Sequence, residues 1–201
     1  MTKFIPNILT FARLALTIIF LIMVFYSPYV TSRTFFLDVA FVLFVIAGLT
    51  DIIDGIVARS LNVTSKFGRM LDPLADKILI CGTFICFVII RQPKLFDFNQ
   101  GTLLAIHCSV VGILVLREAY VTVLRHTAEA RGINFAATIS GKIKMFLQSF
   151  AIGTVIIKMA HVPTKAWANW FTVITYAVML IVTVFSGLMA TKRSNRKQHN
   201  Q

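Results

Sequence analysis

Acidic residues are scarce in this 201-residue chain, which has eight Asp and Glu against twenty Lys and Arg and a net charge of +12. Charge of either sign is thin: 14% of residues carry it, where a soluble domain has about a quarter. That shortage excludes an ordinary water-soluble globular domain. Cysteine is scarce too, and Cys81, Cys86 and Cys108 sit inside apolar stretches with no metal or redox spacing. They read as small hydrophobes, which excludes a zinc site and a disulfide framework. His107, His126, His161 and His199 share no spacing either, and there is no internal repeat or low-complexity segment. What the chain has instead is apolar surface: 57% of residues are hydrophobic and the mean hydropathy is +0.80. Eighteen phenylalanines suit lipid-facing and packing surfaces, and say nothing about a substrate. The basic excess lies between apolar runs rather than along one soluble face, so it points to anionic lipid head groups and away from nucleic acid.

A helix needs about 20 largely apolar residues to cross the hydrocarbon. Six stretches qualify, near 8–27, 35–58, 70–90, 101–124, 138–160 and 166–190. The expected fold is therefore all-α, an integral membrane bundle of six transmembrane helices. Turn residues occupy the connections near 28–34, 91–100 and 161–165. No small-residue cleavage site follows the first stretch and Arg13 interrupts its start, so it reads as an uncleaved membrane helix. With six spans, thirteen basic residues fall on the side that holds both termini and five, Arg33, Arg91, Lys94, Lys158 and Lys165, on the other. The positive-inside rule then puts both termini in the cytoplasm. Residues 1–191 form one six-helix membrane domain in this reading, and 192–201 form a basic cytoplasmic tail that anchors against anionic lipid.

Half of the eight acids, Asp51, Asp54, Asp72 and Asp76, fall at the ends of the second and third spans. A charged side chain at a helix centre in a bilayer costs about 2.5–3.5 kcal/mol on insertion scales, and less near an interface. Four together also repel, so something compensates them. Asp51, Asp54, Gly55 and Ala58 share one helical face; Gly68, Asp72, Ala75 and Asp76 share a face of the next span. Clustered hard oxygen donors suit Mg²⁺ or Mn²⁺. Such cations neutralise the cluster, bind a pyrophosphate, and as a pair stabilise both ends of a phosphoryl displacement. Interfacial pairing with Arg59, Lys66, Arg69 and Lys77 is the plainer reading, but four acids on two matched faces exceed what a surface needs. A cation-coupled carrier is the reading from a different functional class. Carriers usually show a repeat with acids in both halves, whereas these acids crowd into one hairpin.

Residues 51–76 read DIIDGIVARSLNVTSKFGRMLDPLAD. Asp-x-x-Asp-Gly-x-x-Ala-Arg, eight residues, then Gly-x-x-x-Asp-x-x-x-Asp resembles, without a departure, the signature of the CDP-alcohol phosphatidyltransferase family. The resemblance implies a metal-dependent transferase acting on CDP-diacylglycerol in the membrane, and a homodimer. It implies that Asp51, Asp54, Asp72 and Asp76 hold two Mg²⁺ or Mn²⁺ ions and that Asp76 is also the catalytic base. Asp51, Gly55, Ala58, Arg59 and Gly68 are then the wall for the CDP-lipid. Independently, glycine at 55 and 68 lets phosphate approach the backbone, and Arg59 offers a fixed fork to it.

The acceptor alcohol rests on other segments. IPNILTFAR (5–13) and LDPLADK (71–77) resemble both the glycerol 3-phosphate-accepting and the cardiolipin-forming members of the family. REAYVTVLRHTAEARG (117–132) and GKIKMFLQ (141–148) resemble the former. Glycerol 3-phosphate is a small dianion that needs fixed cations. Arg117 and Arg125 fall near one helical face, Glu118 is placed to orient one of them, and Lys142 and Lys144 open the fifth span. With Asn7, Thr10 and Arg13 form a polar stripe at the mouth of the first span, facing either the pocket or lipid head groups. Arg117, Arg125, Lys142, Lys144, Thr10 and Arg13 are the candidate acceptor-phosphate residues. A phosphatidylglycerol acceptor needs less fixed positive charge, and an inositol phosphate needs a similar anion site, so both stay open as alternatives.

Overall fold

The computed structural model describes the backbone of residues 5–60, 66–130 and 139–199, and their side chains apart from 5–9, 51–60, 66–73, 129–130 and 194–199. Among the described residues there are six α-helices, one short 3-10 turn and no strand. The helices are α1 (Ile5–Tyr26), α2 (Arg33–Ser60), α3 (Lys66–Ile89), α4 (Gln100–Ala130), α5 (Ile139–His161) and α6 (Ala166–His199). Each expected span is a helix. Stretches of α1, α2, α4, α5 and α6 are long and apolar enough to cross a membrane, which makes the chain an integral membrane protein. In α3 the acids and Lys77 fill the first turns, and the apolar run begins at Ile78. Helix α6 runs on through the basic segment from Lys192 as far as His199.

Local chemistry sets the helix ends. The side-chain oxygen of Asn99 accepts from the backbone N–H of Thr102 at 2.8 Å, capping the start of α4. At the end of α3, Arg91 turns left-handed with φ 52°. Its N–H then bonds to Val88 O at 3.1 Å, and the N–H of Gln92 reaches back to Phe87 O at 2.9 Å. Those two bonds satisfy carbonyls that the helix end leaves open. Pro163 lacks the N–H needed to extend α5.

The chain forms two compact units. In the first, residues 1–93 with 156–163, α1 packs against both α2 and α3. The buried positions of α1 are Thr10, Arg13, Thr17, Phe20 and Val24, and those of α2 are Leu37, Ala40, Phe44 and Ala47. Both sets alternate steps of three and four residues, the rhythm of helices that cross at about 20°. Phe20 meets Phe44 with ring centroids 5.3 Å apart. Gly82 allows α3 close to α1, since a Cβ there would stand 3.1 Å from Leu21 Cδ1. Away from these contacts, Asp38 and His161 pair at 2.9 Å and Thr34 donates to Ala160 O at 3.1 Å, tying the end of α5 to the start of α2.

The second unit comprises 94–155 and 164–201, with α4 packed on α6. Its buried stripes keep the same rhythm, through His107, Val110, Leu114 and Val121 on α4 and Tyr176, Met179, Thr183, Ser186 and Ala190 on α6. Large apolar side chains such as Phe35, Phe146, Ile181 and Leu188 are exposed, while Arg13 and Ser186, each hydrogen-bonded within its unit, are buried. Lipid is as apolar as leucine, so helices in it gain little by hiding leucine and more by pairing polar groups inside. Hydroxyls are also satisfied within their own helices: Thr172 donates to Ala168 O and Thr175 to Phe171 O, both at 2.8 Å.

Candidate functional site

Among the described residues, chemistry-bearing side chains gather in both units. In the first, Arg13 on α1 extends Nη1 to Asp76 Oδ1 on α3 at 3.1 Å. Arg13 and Thr10 lie on the inward stripe of α1, both almost wholly buried. Of the polar stripe at the mouth of the first span, Thr10 and Arg13 thus turn to the protein interior, and the side chain of Asn7 lies outside the described residues. Asp76 keeps 29% of its side-chain surface exposed, so its carboxylate is accessible while held by a buried cation. Pairing is obligatory here, because an isolated ion taken from water into an apolar interior costs several kcal/mol.

The side chains of Asp51, Asp54, Gly55, Ala58, Arg59, Gly68 and Asp72 lie outside the described residues; their backbones belong to α2 and α3. Along the sequence, the three-and-four rhythm of Leu37, Ala40, Phe44 and Ala47 arrives next at positions 51, 54 and 58. No group of three potential metal ligands occurs among the described residues, which include only Asp76 of the four aspartates. The donor set still fits a hard divalent cation. It offers carboxylate oxygens only, at steps of three and four residues on two helices that pack against a common third. Asp76 already takes a cation as its partner.

In the second unit, Glu118 on α4 is the hub. Its Oε1 accepts from Arg117 Nη1 at 2.9 Å and from Lys144 Nζ on α5. Arg117 Nη2 donates to Ser186 Oγ on α6 at 2.6 Å, and Ser186 in turn donates to Thr183 O at 3.1 Å. One turn beyond Lys144 on α5 lies Gln148, fully buried. The stem of Arg117 lies against α6 at Gly187, where a Cβ would stand 3.4 Å from Arg117 Cγ, an ordinary contact distance. Two cations and one anion leave this buried trio with a net charge of +1.

The four cations expected together on α4 and α5 divide in two. Arg117 and Lys144 are inside and joined through Glu118, while Arg125 and Lys142 are exposed. Helix geometry explains the division: eight residues at about 100° each carry Arg125 about 80° past Arg117. Lys142 stands two residues, more than half a turn, from Lys144. Glu118 as a double partner, and Ser186, went unforeseen in the sequence. Glu118 did leave a signal, an acid deep in the fourth span that must find a cation. A serine in an apolar helix leaves none.

Comparison with known proteins gives a consistent set of likenesses. The family model for CDP-alcohol phosphatidyltransferases matches residues 3–194. The chain is 33% identical over 190 residues to the CDP-diacylglycerol–glycerol-3-phosphate 3-phosphatidyltransferase of Bacillus subtilis strain 168, with 90% of each chain covered. It is 30% identical over 192 residues to a probable phosphatidylglycerophosphate synthase of Mycobacterium tuberculosis, covering 94% of this chain and 81% of that one. With a Rickettsia bellii protein of the same name as the Bacillus one, identity is 35% over 153 residues, covering 76% and 74%.

Proposed function

The chain belongs to the CDP-alcohol phosphatidyltransferase family, and from that premise we propose that it transfers the phosphatidyl group of CDP-diacylglycerol to glycerol 3-phosphate, releasing phosphatidylglycerophosphate and CMP. One observation carries the choice of acceptor: the buried Arg117 and Lys144, joined through Glu118. Two fixed cations in a water-poor interior suit a small phosphomonoester dianion better than a lipid phosphodiester with a single charge. The names of the Bacillus and Rickettsia relatives support the same acceptor.

In the proposed mechanism Asp51, Asp54, Asp72 and Asp76 hold two divalent cations, Mg²⁺ or Mn²⁺. When bound, these supply charge stabilisation to a pyrophosphate and to the departing phosphate. Asp51, Gly55, Ala58, Arg59 and Gly68 receive the CDP-lipid, with Arg59 presenting its fork to phosphate. Arg117 and Lys144 hold the acceptor's phosphate, and the exposed Arg125 and Lys142 draw the anion toward the protein from solution. Asp76 takes the proton of the acceptor's primary hydroxyl. That oxygen forms a bond to the phosphorus bearing diacylglycerol, the bond from this phosphorus to the CMP phosphate oxygen breaks, and the electron pair leaves with CMP. Arg13, 3.1 Å from Asp76, keeps the base in place, and Thr10 stands one turn from it on the same buried stripe.

The orientation drawn from the basic residues places both termini and this chemistry on the cytoplasmic face of a bacterial inner membrane, with residues 1–191 as one catalytic domain. A homodimer belongs to the same proposal, and the mass of the detergent-solubilised protein tests it. The reaction is tested by CMP release from purified protein with CDP-diacylglycerol and Mg²⁺, offering glycerol 3-phosphate, phosphatidylglycerol and inositol phosphate in turn. Release with glycerol 3-phosphate alone is expected. Release only with another acceptor overturns the acceptor, and no release with any, from folded protein, returns the carrier reading.

A further inference from the structure

We infer that Glu118 and Ser186 are positioning residues that build the acceptor site: they lock Arg117 and Lys144 into one preformed two-cation cradle for the phosphate of a small phosphomonoester. This rests on the acceptor assignment above and deepens it.

An acid within a site for an anion looks counterproductive, because it subtracts one positive charge. The geometry explains why it belongs there. Arg117 Nη1 and Lys144 Nζ bond to the same Glu118 oxygen, which holds two like charges side by side in the interior of the unit. Without the carboxylate the cations repel each other. Lys144, on a flexible four-carbon stem, then draws its ammonium toward water while its stem stays in the apolar layer. Ser186 completes the arrangement from another helix. With Nη1 on Glu118 and Nη2 on Ser186 Oγ at 2.6 Å, the guanidinium plane is fixed at both ends. Glu118 thus draws on α4 and α5, and Arg117 on α4 and α6, so the cradle is held by all three helices of the unit.

The cradle is not saturated by its own partners. Arg117 Nε, Gln148 Nε2 and Thr183 Oγ1 are buried and have no hydrogen-bond partner among the described residues. Gln148 stands one turn from Lys144 on α5, and Thr183 three residues before Ser186 on α6. An ion pair that served only to neutralise a buried acid would stop at one cation. This trio sums to +1 and has open polar atoms beside it, as a site that receives a polar anion does. Fixing the cations beforehand reduces the ordering cost that binding must otherwise meet.

The test is steady-state kinetics of purified, folded Glu118→Gln and Ser186→Ala, varying glycerol 3-phosphate and CDP-diacylglycerol separately. Glu118→Gln is expected to raise the apparent KM for glycerol 3-phosphate by about tenfold or more while KM for CDP-diacylglycerol stays within about twofold. Ser186→Ala should raise the acceptor KM by about threefold. Because Glu118 acts through Lys144, Glu118→Gln added to Lys144→Ala should cost much less than it does alone. A rise in both KM values together, an unchanged acceptor KM, or a loss of kcat alone overturns the proposal in favour of a structural or chemical role. Should Glu118→Gln fail to fold, Ser186→Ala decides by the same criteria. A wild-type enzyme that releases no CMP with glycerol 3-phosphate refutes the acceptor assignment itself, an outcome read before any variant is compared.

Discussion

In the unit built on α1, α2 and α3, a buried cation, Arg13, holds an acid that remains 29% exposed. In the unit built on α4, α5 and α6 the roles are exchanged: Glu118 stands between Arg117 and Lys144, and none of the three is more than 17% exposed. Both solve the same problem, a charge that cannot sit alone in an apolar interior. They differ in balance: Arg13 and Asp76 cancel one to one, whereas Arg117, Lys144 and Glu118 sum to +1. The comparison teaches that a buried ion pair can either hold one group in place or hold two like charges side by side, and that only the second arrangement leaves a charge over.

Breaking the acid side should have the largest effect. Asp76→Asn removes the proposed base and is expected to lower kcat by about 10²–10⁴-fold, measured as CMP release from folded protein; normal turnover would sink the base assignment. Chelation of divalent metal should abolish turnover as well, with recovery on adding Mg²⁺ or Mn²⁺. Activity persisting in EDTA would remove the metal from the scheme.

Next comes the pair itself. Arg13→Gln removes the cation that pairs with Asp76 and should destabilise the folded protein by about 1–3 kcal/mol, read as a lower melting temperature in detergent. Unchanged stability would mean that Asp76 relies on other partners. On the cation side, Arg117→Ala and Lys144→Ala should raise the acceptor KM far more than Arg125→Ala or Lys142→Ala do. Equal effects would erase the distinction between inner and outer cations. The smallest effect belongs to Thr183→Val, which replaces a buried hydroxyl that has no partner among the described residues with an isosteric methyl. It should leave stability unchanged or raise it by less than about 1 kcal/mol, and a clear loss would reveal a hydroxyl partner.

Much of the fold was legible because a bilayer permits few choices. Six apolar stretches had to be helices, since backbone groups in hydrocarbon must bond within their own segment. Legibility fell where that constraint ends. α4 runs to Ala130 and α6 to His199, beyond the apolar stretches that announced them, because helix propensity continues past the hydrocarbon where hydropathy does not. The inward turn of Thr10 and Arg13 was undecidable from α1 alone. A polar stripe at a helix mouth looks the same whether it meets head groups or protein. Likewise Arg117, Arg125, Lys142 and Lys144 form one basic set on paper, and only packing separated the buried pair from the exposed one.

The sequence by itself determined the solvent, the number of helices, the family, and the hairpin where carboxylates recur at steps that share a face. Each of these depends on composition or on spacing within one helix, where 3.6 residues per turn make the geometry local. Tertiary structure decided which charges meet: Arg13 with Asp76, and Glu118 with both Arg117 and Lys144. The reason is physical. An ion pair between helices depends on which faces pack together and how far each side chain reaches, and residues 63 positions apart in the chain carry no local sign that they will stand 3.1 Å apart.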